Sequence, residues 1–142
     1  MPSPDAPLSG RCACGTVRFQ VVGPFTTAGY CHCHRCQQRS GTLFSVNGVV
    51  DGTSFELLAG AEAVGSWEPE GGLPKMFCRQ CGGAVFGGYP GQAGRPVTIR
   101  LGALEGDPEV RPQWHQWLES APDWAPVAED GLPRWPRRRE AG

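Results

Sequence analysis

Apolar and polar residues alternate along residues 16–21, with Val17, Phe19 and Val21 on one face, and Gly23 and Pro24 stop the run. A period of two over so short a span predicts a half-buried β-strand. Residues 97–101 alternate in the same way, and short apolar runs at 54–58 and 63–67, divided by Gly60, predict further strands. Residues 43–50 are apolar around an Asn47-Gly48 pair. That pair favours the positive φ angles of a two-residue turn, so a hairpin is expected there. Two short strands are expected on either side of Cys78 and Cys81, joined by a tight turn at Gly82 and Gly83. After Gln37 one helical turn closed by Gly41 is expected.

Composition sharpens this strand-and-turn picture into an all-β expectation. Glycine (21 residues) and proline (14) favour turns over long helices in a chain of 142 residues, a length that suits one domain. Residues 1–7 read as a disordered N-terminus, 8–135 as a single domain, and 136–142 as a basic tail. The net charge of −1, with both signs mixed along the chain, gives no electrostatic case for binding nucleic acid or an anionic membrane. No basic region precedes an apolar run at the start, and no stretch reaches the length of a membrane span, so a cytoplasmic address is expected.

The chemistry lies in the seven cysteines. Cys12-x-Cys14, Cys31-x-Cys33-x-x-Cys36 and Cys78-x-x-Cys81 account for all of them. Clustering, an odd count and no export signal favour metal ligation over a disulfide framework. In an extended segment Cys31 and Cys33 point to one face and His32 and His34 to the other, and a turn after His34 brings Cys36 beside Cys33. Three thiolates are one short of a closed structural zinc site, and an open fourth position is how catalytic zinc is built. Three thiolates also keep a metal soft, suited to a fourth sulfur and to holding an incoming thiol as thiolate beside a small carbonyl. Cys12, Cys14, Cys78 and Cys81 would make a tetrahedral all-thiolate site, although spacing alone equally permits Cys12 and Cys14 with Cys33 and Cys36. His34 is the candidate for a fourth protein ligand at the three-cysteine centre. His115, between two tryptophans, reads as a packed histidine. Arg35, Arg39 and Arg79 are candidates to hold a substrate carboxylate.

The cysteine pattern resembles the glutathione-dependent formaldehyde-activating enzyme family, related to centromere protein V, whose fold is that of the Rab-type exchange factor Mss-four. The matching segments are G-R-C-A-C-G-T-V-R-F at 10–19, C-H-C-H-R-C-Q-Q-R-S-G at 31–41 and F-C-R-Q-C-G at 77–82, followed by G-A-L-E-G at 102–106, Trp124 and D-G-L-P at 130–133. The resemblance implies a Mss-four-like fold of packed antiparallel sheets, stapled by structural zinc at Cys12, Cys14, Cys78 and Cys81. It implies a second, catalytic zinc at Cys31, Cys33 and Cys36. It further implies carbon–sulfur lyase chemistry on a small thiol or thiol adduct, of the glutathione and S-hydroxymethylglutathione type. The competing reading is a non-catalytic, zinc-stabilised module that binds a protein partner. The three-cysteine centre favours the enzyme, because a purely structural domain gains nothing from an incomplete ligand set.

Overall fold

Strand alternation at residues 17–21 is realised as a buried edge of the core: Val17, Phe19 and Val21 are all but sealed from solvent. The structure, a computed structural model, describes residues 1–140; the end of the basic tail, Ala141 and Gly142, lies outside the described residues. The first five strands are β1 (Leu8–Arg11), β2 (Arg18–Val21), β3 (Thr27–Cys31), β4 (Ser45–Asp51) and β5 (Phe55–Ala59). They are followed by β6 (Val64–Trp67), β7 (Lys75–Cys78), β8 (Ala84–Gly88), β9 (Pro96–Arg100) and β10 (His115–Gln116). The single α-helix among the described residues, α1, spans His34–Ser40.

Two sheets pack face to face. A three-stranded antiparallel sheet has the order β1-β2-β5, and a seven-stranded sheet has the order β10-β3-β4-β9-β8-β7-β6. All pairs are antiparallel except β10 with β3. Phe19 and Phe55 of the small sheet stack at 5.1 Å, and Phe55 meets Phe86 of the large sheet at 4.5 Å. Val50, Val97 and Ile99 complete this apolar layer from the large sheet. The fold is therefore the all-β, packed-sheet architecture expected, with one short helix at the cysteine-rich segment.

Two local expectations are corrected. Asn47-Gly48 does not turn; it lies inside β4, where Asn47 pairs with Gly29 and Arg100, and Gly48 with Ala28 and Ile99. Strands on both sides satisfy that backbone, which outweighs the local turn preference. Glycine is needed there for space, since a Cβ would sit 2.6 Å from the Phe25 ring. The helical turn also starts earlier than expected. Cys33 is its N-cap, its sulfur accepting from the Cys36 amide at 3.4 Å, and Gly41 ends it at φ 70°.

Register decides which side chains face away from the core. Val97 and Ile99 point inward, so Thr98 and Arg100 occupy the outer face of β9. Arg100 pairs with Asn47, Asn47 with Gly29, and Cys31 with Ser45, which places Cys31, Ser45, Asn47 and Arg100 on one outer surface. Trp114 lies over Gly29, where a Cβ would come within 2.3 Å of the ring, and its indole nitrogen donates to Thr27 Oγ1 at 2.8 Å.

Candidate functional site

The first cysteine group joins the two sheets. Cys12 and Cys14 follow β1, Cys78 ends β7, and Cys81 lies in the turn between β7 and β8. Their four sulfurs lie within 4.8 Å of one another, with Cys12–Cys14 at 3.7 Å and Cys14–Cys78 at 3.8 Å. A tetrahedron with Zn–S bonds of about 2.3 Å has edges of about 3.8 Å, so the spacing fits a metal and is far too long for a disulfide. The Val17 amide donates to Cys12 Sγ at 3.3 Å. Amide donors, from Cys14 and then Gly83, hold the Cys81 thiol down at about 6. Of the pairings that spacing left open, the structure brings together Cys12 and Cys14 with Cys78 and Cys81.

The second group occupies one strand end and one helical turn. Cys31 closes β3, Cys33 caps α1, and Cys36 lies in its first turn, their sulfurs within 4.8 Å of one another. Ser45 Oγ donates to Cys36 Sγ at 3.2 Å and is itself fixed by the Asn47 amide at 2.9 Å. Thiol donors Cys31 and Cys33, then Ser45 and Arg100, hold Cys36 well below the usual thiol range. The same contacts with Cys33 and Cys36, reinforced by burial, push the Cys31 thiol up. No histidine or carboxylate among the described residues joins the group; His34 is exposed, and His32 turns the other way.

These three cysteines sit where two cavities meet. One, of about 380 Å³, runs along the outer sheet face past Thr98, Asn47 and Trp114. The other, of about 740 Å³, opens over the start of α1 and the 71–73 loop. Together their walls carry Arg35, Arg39, Lys75, Arg100, Arg138 and Arg139. Burial pushes Lys75 down from the ordinary lysine range; Cys36 opposes this, and Arg100, Arg39 and Arg35 add to it. Arg35 and Arg39 were legible as candidates in the sequence, whereas Lys75, Arg100 and Arg138 were not. Arg79 lines neither cavity. A larger depression of about 1040 Å³ passes Cys12 and Gly82, but the three-cysteine group does not line it.

A hydrogen-bonded chain, buried at His32 and His115 and open to solvent at Asp130, braces the segment from behind. His115 Nε2 lies 2.7 Å from Asp130 Oδ2, and its Nδ1 lies 2.9 Å from His32 Nε2. A carboxylate only accepts, so His115 donates from Nε2, and its Nδ1 then takes the proton of His32 Nε2. Tyr30 stacks on His115 at 4.6 Å. Gln37 Nε2 ties the His32 carbonyl to that of Ser120 at 2.8 and 2.9 Å. His115 is packed, as its tryptophan neighbours suggested, but it is also the middle of a polar relay. Its partner Asp130, 15 residues away, carried no sequence signal for that role.

Comparison with known proteins agrees with this geometry. The family model described as glutathione-dependent formaldehyde-activating enzyme matches residues 7–120. A Halomonas elongata protein whose name carries the same family description is 30% identical over 130 residues, covering 84% of this chain and 80% of the relative. Proteins of Sordaria macrospora and Penicillium rubens with that description are 27% and 32% identical, over 59% and 54% of this chain. The chain spans only 38% and 41% of the length of these two fungal relatives. A crystal structure of a Rhodobacter sphaeroides protein shares the fold, with a TM-score of 0.56 and 20% identity over 89% of this chain and 98% of that one. Among the described residues no helix is long and apolar enough to cross a membrane.

Proposed function

Because the chain belongs to the glutathione-dependent formaldehyde-activating enzyme family, we propose that it is a zinc-dependent carbon–sulfur lyase. Its reaction would make and break the adduct of a thiol with formaldehyde, of the S-hydroxymethylglutathione type. The observation that carries this reading is the convergence of Cys31, Cys33 and Cys36 where two cavities meet, with no fourth ligand from the described residues. Cys12, Cys14, Cys78 and Cys81 would hold a second, structural zinc, which their tetrahedral sulfur spacing suits.

Cys31, Cys33 and Cys36 would hold the zinc, which would supply a soft Lewis-acidic position suited to a fourth sulfur. The chain's own residues do the rest. Ser45 and the Cys36 amide fix the sulfurs of Cys36 and Cys33 with two hydrogen bonds. The cationic walls orient the acidic groups of the substrate. In the forward direction the substrate sulfur bonds to the aldehyde carbon, and the thiol proton ends on the former carbonyl oxygen. Nothing is oxidised or reduced. A cytosolic setting, where thiols stay reduced, suits seven unpaired cysteines.

Cobalt substitution tests the reading without relying on turnover. In protein carrying cobalt at both sites, added thiol should intensify the sulfur-to-metal charge-transfer bands while the spectrum stays tetrahedral. A spectrum indifferent to every thiol would mean that the position is closed, and the binding-module reading would replace this one.

A further inference from the structure

A separate cavity of about 120 Å³ lies against the three-cysteine segment, and no cysteine, lysine or arginine borders it. Tyr30, His32 and His115 meet Leu43 and Phe44 there, and the irregular stretch 121–130 closes the rest. The space exists because that stretch is built from small and stiff residues. Ala121, Ala125 and Ala128 leave room that longer side chains would fill. Pro122 and Pro126 restrict the backbone that would otherwise settle into it.

One buried polar atom is left over in this apolar setting. His115 Nε2 donates to Asp130, and His32 Nε2 donates to His115 Nδ1, so neutral His32 keeps a bare lone pair on its own Nδ1. His32 is 2% exposed, and its Nδ1 has no hydrogen-bond partner among the described residues. No side-chain nitrogen or oxygen among those residues is both sealed and unpaired, so Nδ1 opens onto free space. Of the cavities described, His32 borders this one alone. A water molecule answers Nδ1 poorly. An ordered water holds about two to four polar partners, whereas here it meets mainly alanine, proline, valine and leucine, and Asp130 is already engaged by His115 and the Leu132 amide.

We propose that this cavity is a binding site for a neutral, phenol-sized aromatic alcohol, whose ring takes the apolar space and whose hydroxyl donates to His32 Nδ1. An apolar cavity of about 150 Å³ admits benzene, so six or seven non-hydrogen atoms are the limit here. The rings of Tyr30 and Phe44, set edge to face at 5.3 Å, offer such a guest an aromatic wall. The site is independent of the activity proposed for the cysteines. Its ligand would nonetheless touch the residue between Cys31 and Cys33, on the side away from their sulfurs.

The test is titration of the metal-loaded protein followed by NMR. Phenol should bind saturably, with a Kd on the order of 1 mM or tighter. It should bind at least about threefold more tightly than toluene, which has the same shape and donates no hydrogen bond. The His32 Nδ1 resonance should move upfield with phenol, as an accepted hydrogen bond requires, and stay in place with toluene. Ala125→Leu and, separately, Ala121→Leu fill the cavity from residues outside every strand, and each should weaken phenol binding at least about tenfold. Saturating glutathione should leave phenol binding unchanged, since no cysteine borders the site.

Absence of saturable phenol binding would overturn the proposal. Toluene binding as tightly as phenol would do the same, as would a His32 Nδ1 resonance indifferent to phenol. Displacement of phenol by glutathione would place it at the metal and remove the second site. Unchanged phenol affinity in two folded leucine variants would also sink the idea; if neither variant folds, the contrast of phenol with toluene in the parent protein decides alone. N-acetyltyrosinamide binding more tightly than phenol would assign the cavity to a tyrosine of a partner protein and overturn the small-molecule reading.

Discussion

Replacing one cysteine in each group should separate a staple from a reactive centre. Cys78 is fully buried, and its sulfur lies against Cys14 across 64 residues of chain. Closing a loop of that length in the unfolded state is worth about 4 kcal/mol by chain entropy. Domains are typically stable by only about 5–15 kcal/mol. Cys78→Ser should therefore lower the melting temperature by about 8–16 °C, at about 2–4 °C per kcal/mol for a chain near this size, or abolish folding. Cys36 belongs to a group closed within one strand end and one helical turn, so losing its sulfur opens no long loop and leaves every sheet pairing in place. Cys36→Ser should melt within a few degrees of the parent and carry about half its zinc. Thermal melts with elemental metal analysis on the same samples decide the matter. Equal collapse of the two variants would refute the division into a structural and a reactive site.

Three further outcomes follow from particular contacts. Gly29→Ala places a Cβ 2.3 Å from the Trp114 ring, so the indole must leave the outer sheet face; thiol binding in the cleft should weaken, and a blue-shift or red-shift of tryptophan fluorescence should accompany it. Gly48→Val drives side-chain atoms into Phe25, whose ring lies 2.6 Å from a Cβ there, and overpacking of that kind should cost about 1–3 kcal/mol in a urea titration. Asp130 is held below the usual carboxylate range, first by the bond from His115 and then by the Leu132 amide. Its folded value lies under its unfolded one, so the stability it adds is present above the unfolded value of about 4 and is lost as pH falls through the folded one. Asp130→Asn should accordingly be less stable than the parent near neutrality, and the gap should narrow below about pH 4.

Much of this arrangement was legible in the chain because it depends on short-range rules. Alternation exposed the buried faces of β2 and β9, and cysteine spacing exposed both candidate centres. Asn47-Gly48 misled for an equally physical reason: a local pair states its turn preference, but not that strands on both sides will claim its backbone. The cationic wall was hidden for a related reason. Arg100 ends one strand, Lys75 begins another, and Arg138 lies in the tail; only the strand order β4-β9-β8-β7 and the return of the tail past β10 bring them together. The outward position of Arg100 could still have been read from the period of two that buries Val97 and Ile99. Pairing of His115 with Asp130 could not, since no periodicity links them.

The segment C-H-C-H-R-C at 31–36 works because its two faces have different tasks. Alternation sends Cys31 and Cys33 toward the cleft and His32 away from it. His32 then enters the hydrogen-bonded chain to His115 and Asp130, while the His32 amide donates to the Gln116 carbonyl at 3.0 Å, so β10 locks the same residue through its backbone. Helix α1 begins immediately after, and its N-cap is one of the three sulfurs, so the turn that gathers the thiolates is also the turn that starts the helix. Shifting the segment by one residue would bury a sulfur among the aromatic rings and put an imidazole in the cleft. Register here is therefore set on the side away from the chemistry, and the residues that set it, His115, Asp130 and Gln37, touch no substrate in the reading proposed.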